Sequence, residues 1–307
     1  MHRAARNAGV YPVRVFVTGS SSQLARALLP ELCALREVEH VTGIDLAPRH
    51  CSHPKFSARR ADIRDPRLEQ WLQGHDALVH LAWVVLRGRM RPESMFEINV
   101  TGGLRAFRAA RAAGVRRLIH LSSAAVYGEG IDLAEDAPFR PLAGFLYAEH
   151  KALLENALAG EFPDCVRLRP HVILGPHAQP LLKWLMRQPF YPRLPQPLPR
   201  LQCVHEDDVA SAILSCLQRD ARGPYNLAAA EHVSYRALIE RRHKVALPLP
   251  LAAARAGSKL AWKFWGWGGE PAWIEGLTRT LLLDCRRARN ELGWRPHYDL
   301  AAMLKTG

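Results

Sequence analysis

Long apolar runs are missing from this chain. No stretch of roughly 18 or more apolar residues occurs, which excludes a membrane-spanning helix. Cysteine is sparse: the six residues at 33, 51, 165, 203, 216 and 285 form no C-x-x-C pair. That dispersal excludes a disulfide framework or a zinc ribbon. His50-Cys51-Ser52-His53 is the one tight cluster of metal-ligating residue types, and it has no second half, so no metal is expected. Lysine is scarce too, with only seven among 42 basic residues. The arginines are scattered in clusters no longer than Arg59-Arg60, Arg116-Arg117 and Arg241-Arg242. A formal net charge of +13 therefore suits an anionic small molecule, while the lack of a basic tract or basic-aromatic module speaks against nucleic acid. Arg105, Arg108 and Arg111 read as the solvated face of a helix. Met1 to Tyr11 has no apolar core, so no secretory signal is read there. A cytoplasmic protein is expected.

What is present is an alternation of short β-branched runs with helical periodicity. The chain has 307 residues, 48% hydrophobic and 23% charged, enough for a sizeable core. Val13-Arg14-Val15-Phe16-Val17 reads as a buried strand, and Gln23 to Leu35 as a helix with Leu24, Leu28, Leu29 and Leu32 on one face. Val41-Thr42-Gly43-Ile44-Asp45, the run from Ala77 to Ala82, Leu118 to Leu121, and Val166 to Pro170 read as further strands. Helices are expected from Pro66 to Leu72, from Asn99 to Ala113 and from Tyr147 onward. This pattern predicts an α/β fold with a doubly wound parallel sheet.

The chemistry centres on Tyr147 and Lys151. Four residues apart on a helix, phenol and ammonium share a face. A free phenol titrates near ~10, so a proton acceptor at neutral pH needs roughly 4 kcal/mol of phenolate stabilisation. A neighbouring cation is the ordinary source. Ser123, at the mouth of the 118–121 strand, can hydrogen-bond a substrate oxygen. Leu121-Ser122-Ser123-Ala124-Ala125-Val126-Tyr127-Gly128 followed by Tyr147-Ala148-Glu149-His150-Lys151 resembles the extended short-chain dehydrogenase/reductase family, which contains NAD-dependent epimerases and dehydratases. The resemblance implies a Rossmann-type fold and a catalytic triad of Ser123, Tyr147 and Lys151. It runs from about residue 13 to 300.

Other stretches extend it. Thr18-Gly19-Ser20-Ser21-Ser22-Gln23-Leu24-Ala25 resembles the family's phosphate loop, with Ser22 and Ala25 in place of glycines. The loop implies pyrophosphate contacts at Gly19, Ser22, Gln23 and Leu24. Asp45 ends the second strand, where an acid binds the adenosine ribose and repels a 2′-phosphate, favouring NAD over NADP. Ala61-Asp62-Ile63-Arg64-Asp65 resembles the turn that lays Asp62 and Ile63 along the adenine; Asp65 alternatively caps the next helix. By the same resemblance Leu81, Ala82, Trp83 and Asn99 adjoin the cofactor, as do Pro170, His171 and Val172. His171 reads as a packed or cofactor-facing residue rather than an acid.

Substrate contacts are expected at Val84, Ala124, Ala125 and Arg200. Ala124-Ala125 replace the acidic pair usual in the family's dehydratases, which disfavours dehydration. Cys203 to Ala210 resembles a family helix start, but the arginine that nucleotide-sugar members place before its histidine is displaced here to Arg200. The expected organisation is an N-terminal extension over 1–12 and a dinucleotide-binding domain over 13–170, with a strand and helix returning around 201–228. A mostly substrate-binding part covers 171–307. The expected activity is hydride transfer at a secondary alcohol or ketone of a small-molecule substrate. A nucleotide-sugar epimerase and a non-catalytic NAD(P)-binding regulatory or scaffold protein are the alternatives. A homodimer would pair the helices opening at 92 and 147. Trp262, Trp265, Trp267 and Trp273 admit two readings, an interfacial membrane contact flanked by Lys259 and Lys263, or buried packing in a lid. Prolines 248, 250 and 271 favour the buried reading.

Overall fold

The computed structural model describes residues 13–49, 51–266 and 270–306. The 1–12 extension, His50 and Trp267 lie outside the described residues. The first half of the chain runs β1 (Val13–Thr18), α1 (Gln23–Ala34), β2 (Val38–Asp45), β3 (Phe56–Arg60), α2 (Leu68–Leu72), β4 (Ala77–His80), α3 (Pro92–Phe96), a π-helical turn (Glu97–Gly102), α4 (Gly103–Ala112), β5 (Arg117–Leu121), a 3-10 turn (Ala124–Tyr127), β6 (Gly130–Leu133) and α5 (Leu146–Glu161). The second half runs β7 (Val166–Pro170), β8 (Val172–Leu174), α6 (Pro180–Arg187), β9 (Phe190–Pro192), β10 (Leu201–His205), α7 (Glu206–Gln218), β11 (Pro224–Leu227), β12 (His232–Val233), α8 (Tyr235–Arg242), β13 (Leu247–Leu249), α9 (Leu251–Trp265), α10 (Ala272–Gly276), β14 (Leu281–Leu283), α11 (Arg286–Leu292) and α12 (Leu300–Thr306).

Seven of these strands form one parallel sheet in the order β11-β7-β5-β4-β1-β2-β3. The chain order reverses between β1 and β4, the place where a Rossmann-type sheet opens a crevice at its strand ends. Both faces are covered at the centre of the sheet, which is why β1 and β4 are largely apolar and buried. On one face Leu24, Leu28 and Leu32 of α1 and Val209, Ile213 and Leu217 of α7 pack against Val15, Val17 and Val79. On the other, Phe107 and Ala110 of α4 with Leu154 and Leu158 of α5 cover Phe16, Leu78 and Leu118. Pro30 is accommodated inside α1. The acids Glu206, Asp207 and Asp208 open α7, where they complement the helix dipole.

At His171 the chain leaves this sheet. β8 pairs with β10 in a separate three-stranded sheet, while β11 returns to the edge of the large one. A third apolar cluster, including Tyr191, Leu194, Tyr235, Leu238, Ile239 and Met303, supports this second part.

Three expectations are corrected. The helix expected from Asn99 begins earlier, at Pro92, and Asn99 falls in the π-helical turn. The helix after Asp65 begins at Leu68 rather than Pro66, and its N-cap is Arg67, whose N–H donates to Asp65. The tryptophan-rich segment divides: no residue of α9 is buried and Trp265 is 72% exposed, whereas Trp273 is half-buried against Phe145 and Tyr147. Of the prolines that favoured burial, Pro250 caps the exposed α9 and Pro271 caps the half-buried α10.

Candidate active site

The crevice between β1 and β4 is shaped by Gly19. Its φ of +68° is left-handed, and a Cβ there would lie 2.5 Å from the backbone nitrogen of Ala82. Only glycine lets the β1 turn press against the end of β4. Ser22 then caps α1, its Oγ accepting from the Ala25 N–H at 3.3 Å. The serine that departs from the family's glycine thus starts the helix, and the first-turn amides of Gln23 and Leu24 have no partner within α1. Asp45 lies beside them, accepting from the N–H groups of Ser21 and Ala47 at 3.0 Å each. Ser21 Oγ in turn donates to the Ala47 carbonyl and accepts from the Arg49 N–H. A close-approach glycine, a capped helix N-terminus and a carboxylate at the end of β2 fit the adenosine-diphosphate half of a dinucleotide.

The three catalytic candidates converge at the ends of β5 and α5. Ser123 caps the 3-10 turn, accepting from the Ala125 N–H at 3.2 Å, and its hydroxyl acts on the Tyr147 phenol. Crowding around that phenol pushes it above its ordinary pKa, against the effect of the Ser123 hydroxyl. Lys151 is buried, and its Nζ donates to the Leu121 carbonyl while lying 3.6 Å from the centre of the Trp83 ring. It is 6.0 Å from the centre of the Tyr147 ring. Burial drives the ammonium well below its ordinary pKa, with Glu155 opposing. In this arrangement the ammonium faces the Trp83 indole and the Leu121 carbonyl.

Aromatic rings close this centre. Trp273 of α10 packs on Phe145 and Tyr147, with ring centres 4.8 and 5.6 Å apart. Beneath Trp83 lie His120 and His80, with ring centres 5.9 Å from Trp83 to His120 and 5.8 Å between the histidines. His80 Nδ1 bonds Thr18 Oγ1 at 2.8 Å, but His80 Nε2, both His120 nitrogens and Trp83 Nε1 are buried with no protein partner. Burial first, and the Lys151 charge second, hold both imidazoles neutral, with His80 pushed down to about 3. A cleft of about 620 Å³ at Arg59, Trp71 and His75 and another of about 430 Å³ at Gln202, Cys285 and Trp294 lie elsewhere.

Several predicted site residues are spent on structure. Asn99 accepts from the Val84 N–H at 2.8 Å and donates to the Val84 carbonyl at 3.0 Å, so it holds the loop after β4 from a π-helical turn. Such turns recur at functional sites. The Asp62 carboxylate is gripped by Arg64, and that contact lowers its pKa. Neighbouring Ile63 is buried against the α4 and α5 side of the sheet. His171 Nε2 lies 2.9 Å from the Leu281 carbonyl and Nδ1 accepts from the Val172 N–H, with burial pushing it to about 4. Arg200 is exposed, its N–H donating to Thr280 Oγ1 beside β14. Ala124 is buried behind Ser123, with Leu283 and Cys285 in the same apolar cluster. Among the described residues no group of metal-ligating side chains converges.

Sequence reasoning missed the buried network behind the site. Glu155, one turn beyond Lys151, accepts from Arg169 Nε at 2.7 Å and from Ser122 Oγ. Arg169 also donates to Tyr127 and to the Glu135 carbonyl, and Tyr127 donates to Asn226 at 2.8 Å. The signal was the i, i+4 spacing of Lys151 and Glu155, which puts both on the helix face turned to the sheet.

Comparison with known proteins identifies the family. The model of the NAD dependent epimerase/dehydratase family matches residues 15–228. A UDP-glucose 4-epimerase of Rhizobium leguminosarum bv. trifolii is 28% identical over 272 residues, 81% of this chain and 82% of that protein. Sterol demethylase protein B of Methylococcus capsulatus is 30% identical over 181 residues, 52% of this chain and 51% of that protein. The solved structure of MoeE5 in complex with UDP-glucuronic acid and NAD superposes with a TM-score of 0.75 at 21% identity, covering 95% of this chain and 97% of that one. With its family model matched over more than half its length, this chain belongs to the NAD dependent epimerase/dehydratase family.

Proposed function

We propose that the chain is an NAD-dependent oxidoreductase that interconverts a secondary alcohol and its ketone on a largely apolar, ring-bearing molecule. NAD, when bound, accepts the hydride at its nicotinamide ring. Tyr147 takes the hydroxyl proton as the C–H bond gives up its electron pair, and Ser123 hydrogen-bonds the reacting oxygen. Lys151 stabilises the phenolate once its ammonium turns from Trp83 toward the phenol. The amides of Gln23 and Leu24 and the turn at Gly19 receive the pyrophosphate, and Asp45 takes the ribose hydroxyls. Leu81, Ala82, Pro170 and Val172 line the rest of the crevice.

The observation that carries the substrate class is the aromatic enclosure of Tyr147 by Phe145 and Trp273. Three arginines on or against α9 and α10 and the turn after them are paired, Arg87 with Glu270, Arg255 with Glu275 and Arg279 with Glu129, and the Arg200 expected at the substrate is exposed beside β14. An apolar ring against these aromatic faces gains about 25 cal/mol per Å² of buried surface. A nucleotide-sugar epimerase is the second reading, favoured by the similarity to the Rhizobium UDP-glucose 4-epimerase. Competition binding to the NAD-loaded protein separates the two. A hydrophobic cyclic alcohol should bind and yield NADH absorbance. Binding of a UDP-sugar with no binding of the alcohol establishes the epimerase instead.

A further inference from the structure

Exposed large apolar side chains concentrate in one part of the molecule. Phe190 of β9 is 42% exposed, and Leu247 and Leu249 of β13 are 45% and 38% exposed. Leu247 sits opposite Phe190 in the parallel register, so these side chains share one face of the two-stranded ribbon. β13 leads directly into α9, where Leu260, Phe264 and Trp265 are 52%, 57% and 72% exposed. Leu260 and Phe264 are one turn apart, above Ala253, Ala256 and Gly257, which are also exposed. Lys259 and Lys263, likewise one turn apart, form the adjoining stripe. The opposite side of α9 is fixed to the body: Arg87 stacks on Trp262, and Arg89 donates to the carbonyls of Lys263 and Phe264.

The sequence around this surface is basic, although Arg241 pairs with Glu231 and Arg255 with Glu275. No acidic residue occurs between Asp164 and Glu206 or between Glu240 and Glu270, while the second interval carries Arg241, Arg242, Lys244, Arg255, Lys259 and Lys263. Arginines on other parts of the surface are paired in the same way, as in Arg108 with Glu161 and Arg111 with Asp164. Lys259 and Lys263 have no ion pair among the described residues. We propose that α9 and the β9–β13 ribbon form a docking surface for an anionic lipid bilayer, with Leu260, Phe264 and Trp265 entering the headgroup boundary and the lysines held against lipid phosphates. An apolar stripe ending in Phe and Trp, flanked by lysine, has the composition of a helix that lies in a membrane interface. A second copy of the chain suits the surface less well, since a two-fold contact sets Lys259 and Lys263 against themselves.

This surface is independent of what the active site oxidises, and its test involves neither cofactor nor turnover. The full chain is cosedimented with vesicles of phosphatidylcholine containing phosphatidylglycerol, and with pure phosphatidylcholine vesicles. Binding is expected to the anionic vesicles and to weaken as salt is raised. The exposed double variant Leu260→Ser/Phe264→Ser should lower the partition coefficient at least about tenfold. Lys259→Gln/Lys263→Gln should lower it by about tenfold or more and flatten the salt dependence. Unchanged thermal unfolding of both variants shows that the fold is intact. Absence of binding to the anionic vesicles, or binding untouched by either variant, overturns the proposal. So does a concentration-dependent dimer, seen by light scattering and lost in Leu260→Ser/Phe264→Ser, without vesicle binding.

Discussion

Helix α5 carries two polar clusters one turn apart, and they are built in opposite ways. Around Glu155, the buried carboxylate, guanidinium, phenol and amide of Glu155, Arg169, Tyr127 and Asn226 are joined by hydrogen bonds. The exception is Arg167 Nε, which faces Glu155 at 3.7 Å without a hydrogen bond. Around Lys151, by contrast, Trp83, His80 and His120 all bury polar atoms with no protein partner. A satisfied network fixes one arrangement, whereas an unsatisfied one is held at a cost in stability and is open to rearrangement on binding. Conserving the first and unsettling the second is what a scaffold carrying a reactive site requires.

The largest effect should come from breaking the satisfied side. Glu155→Ala leaves Arg169 buried beside Arg167 without its anion, and is expected to lower unfolding stability by about 3–5 kcal/mol in denaturant titration. A change within experimental scatter would show that this network does not anchor α5. On the reactive side, Tyr147→Phe should reduce turnover roughly 10²-fold or more while NAD binding by calorimetry stays within a few-fold. Near-normal turnover would remove Tyr147 from proton transfer.

Asp45→Ser tests the dinucleotide crevice and should narrow an NAD-over-NADP preference by about tenfold, the worth of a hydrogen bond to a charged group. A native preference for NADP would assign the ribose to a neighbour such as Arg49. The smallest effect sharpens the comparison directly. His120→Phe removes two unpartnered nitrogens and should stabilise the fold by about 1 kcal/mol. It should also reduce acid sensitivity. His80 and His171 are depressed to about 3 and about 4, below the value near 6.5 that an unfolded histidine has, and His120 is depressed as well. The unfolded chain therefore binds more protons, so their contribution is full above about pH 6.5 and is lost as pH falls toward the folded values. Unfolding midpoints measured across that window should decline less steeply in His120→Phe.

Much of this organisation is legible in the sequence. Strand and helix alternation, the turn at Gly19, the acid at Asp45 and the Tyr147/Lys151 spacing are local patterns, because backbone sterics and helical periodicity act over a few residues. The roles of Arg167 and Arg169 were not legible, since a strand of alternating Val, Arg and Leu reads as half exposed. Both arginines are buried because α5 brings Glu155 across from another part of the chain. The same holds for Asn99, whose amide is committed to Val84 only once a π-helical turn aligns the two.

The sequence by itself determined the family and the parallel sheet and nominated the reactive side chains, because each rests on short-range spacing. Only the tertiary structure decided where their charges point. Lys151 faces Trp83 rather than the Tyr147 phenol, and α9 lies on the surface rather than in a lid core. Burial and electrostatic partnership are made by residues distant in the chain, and no local pattern carries that information.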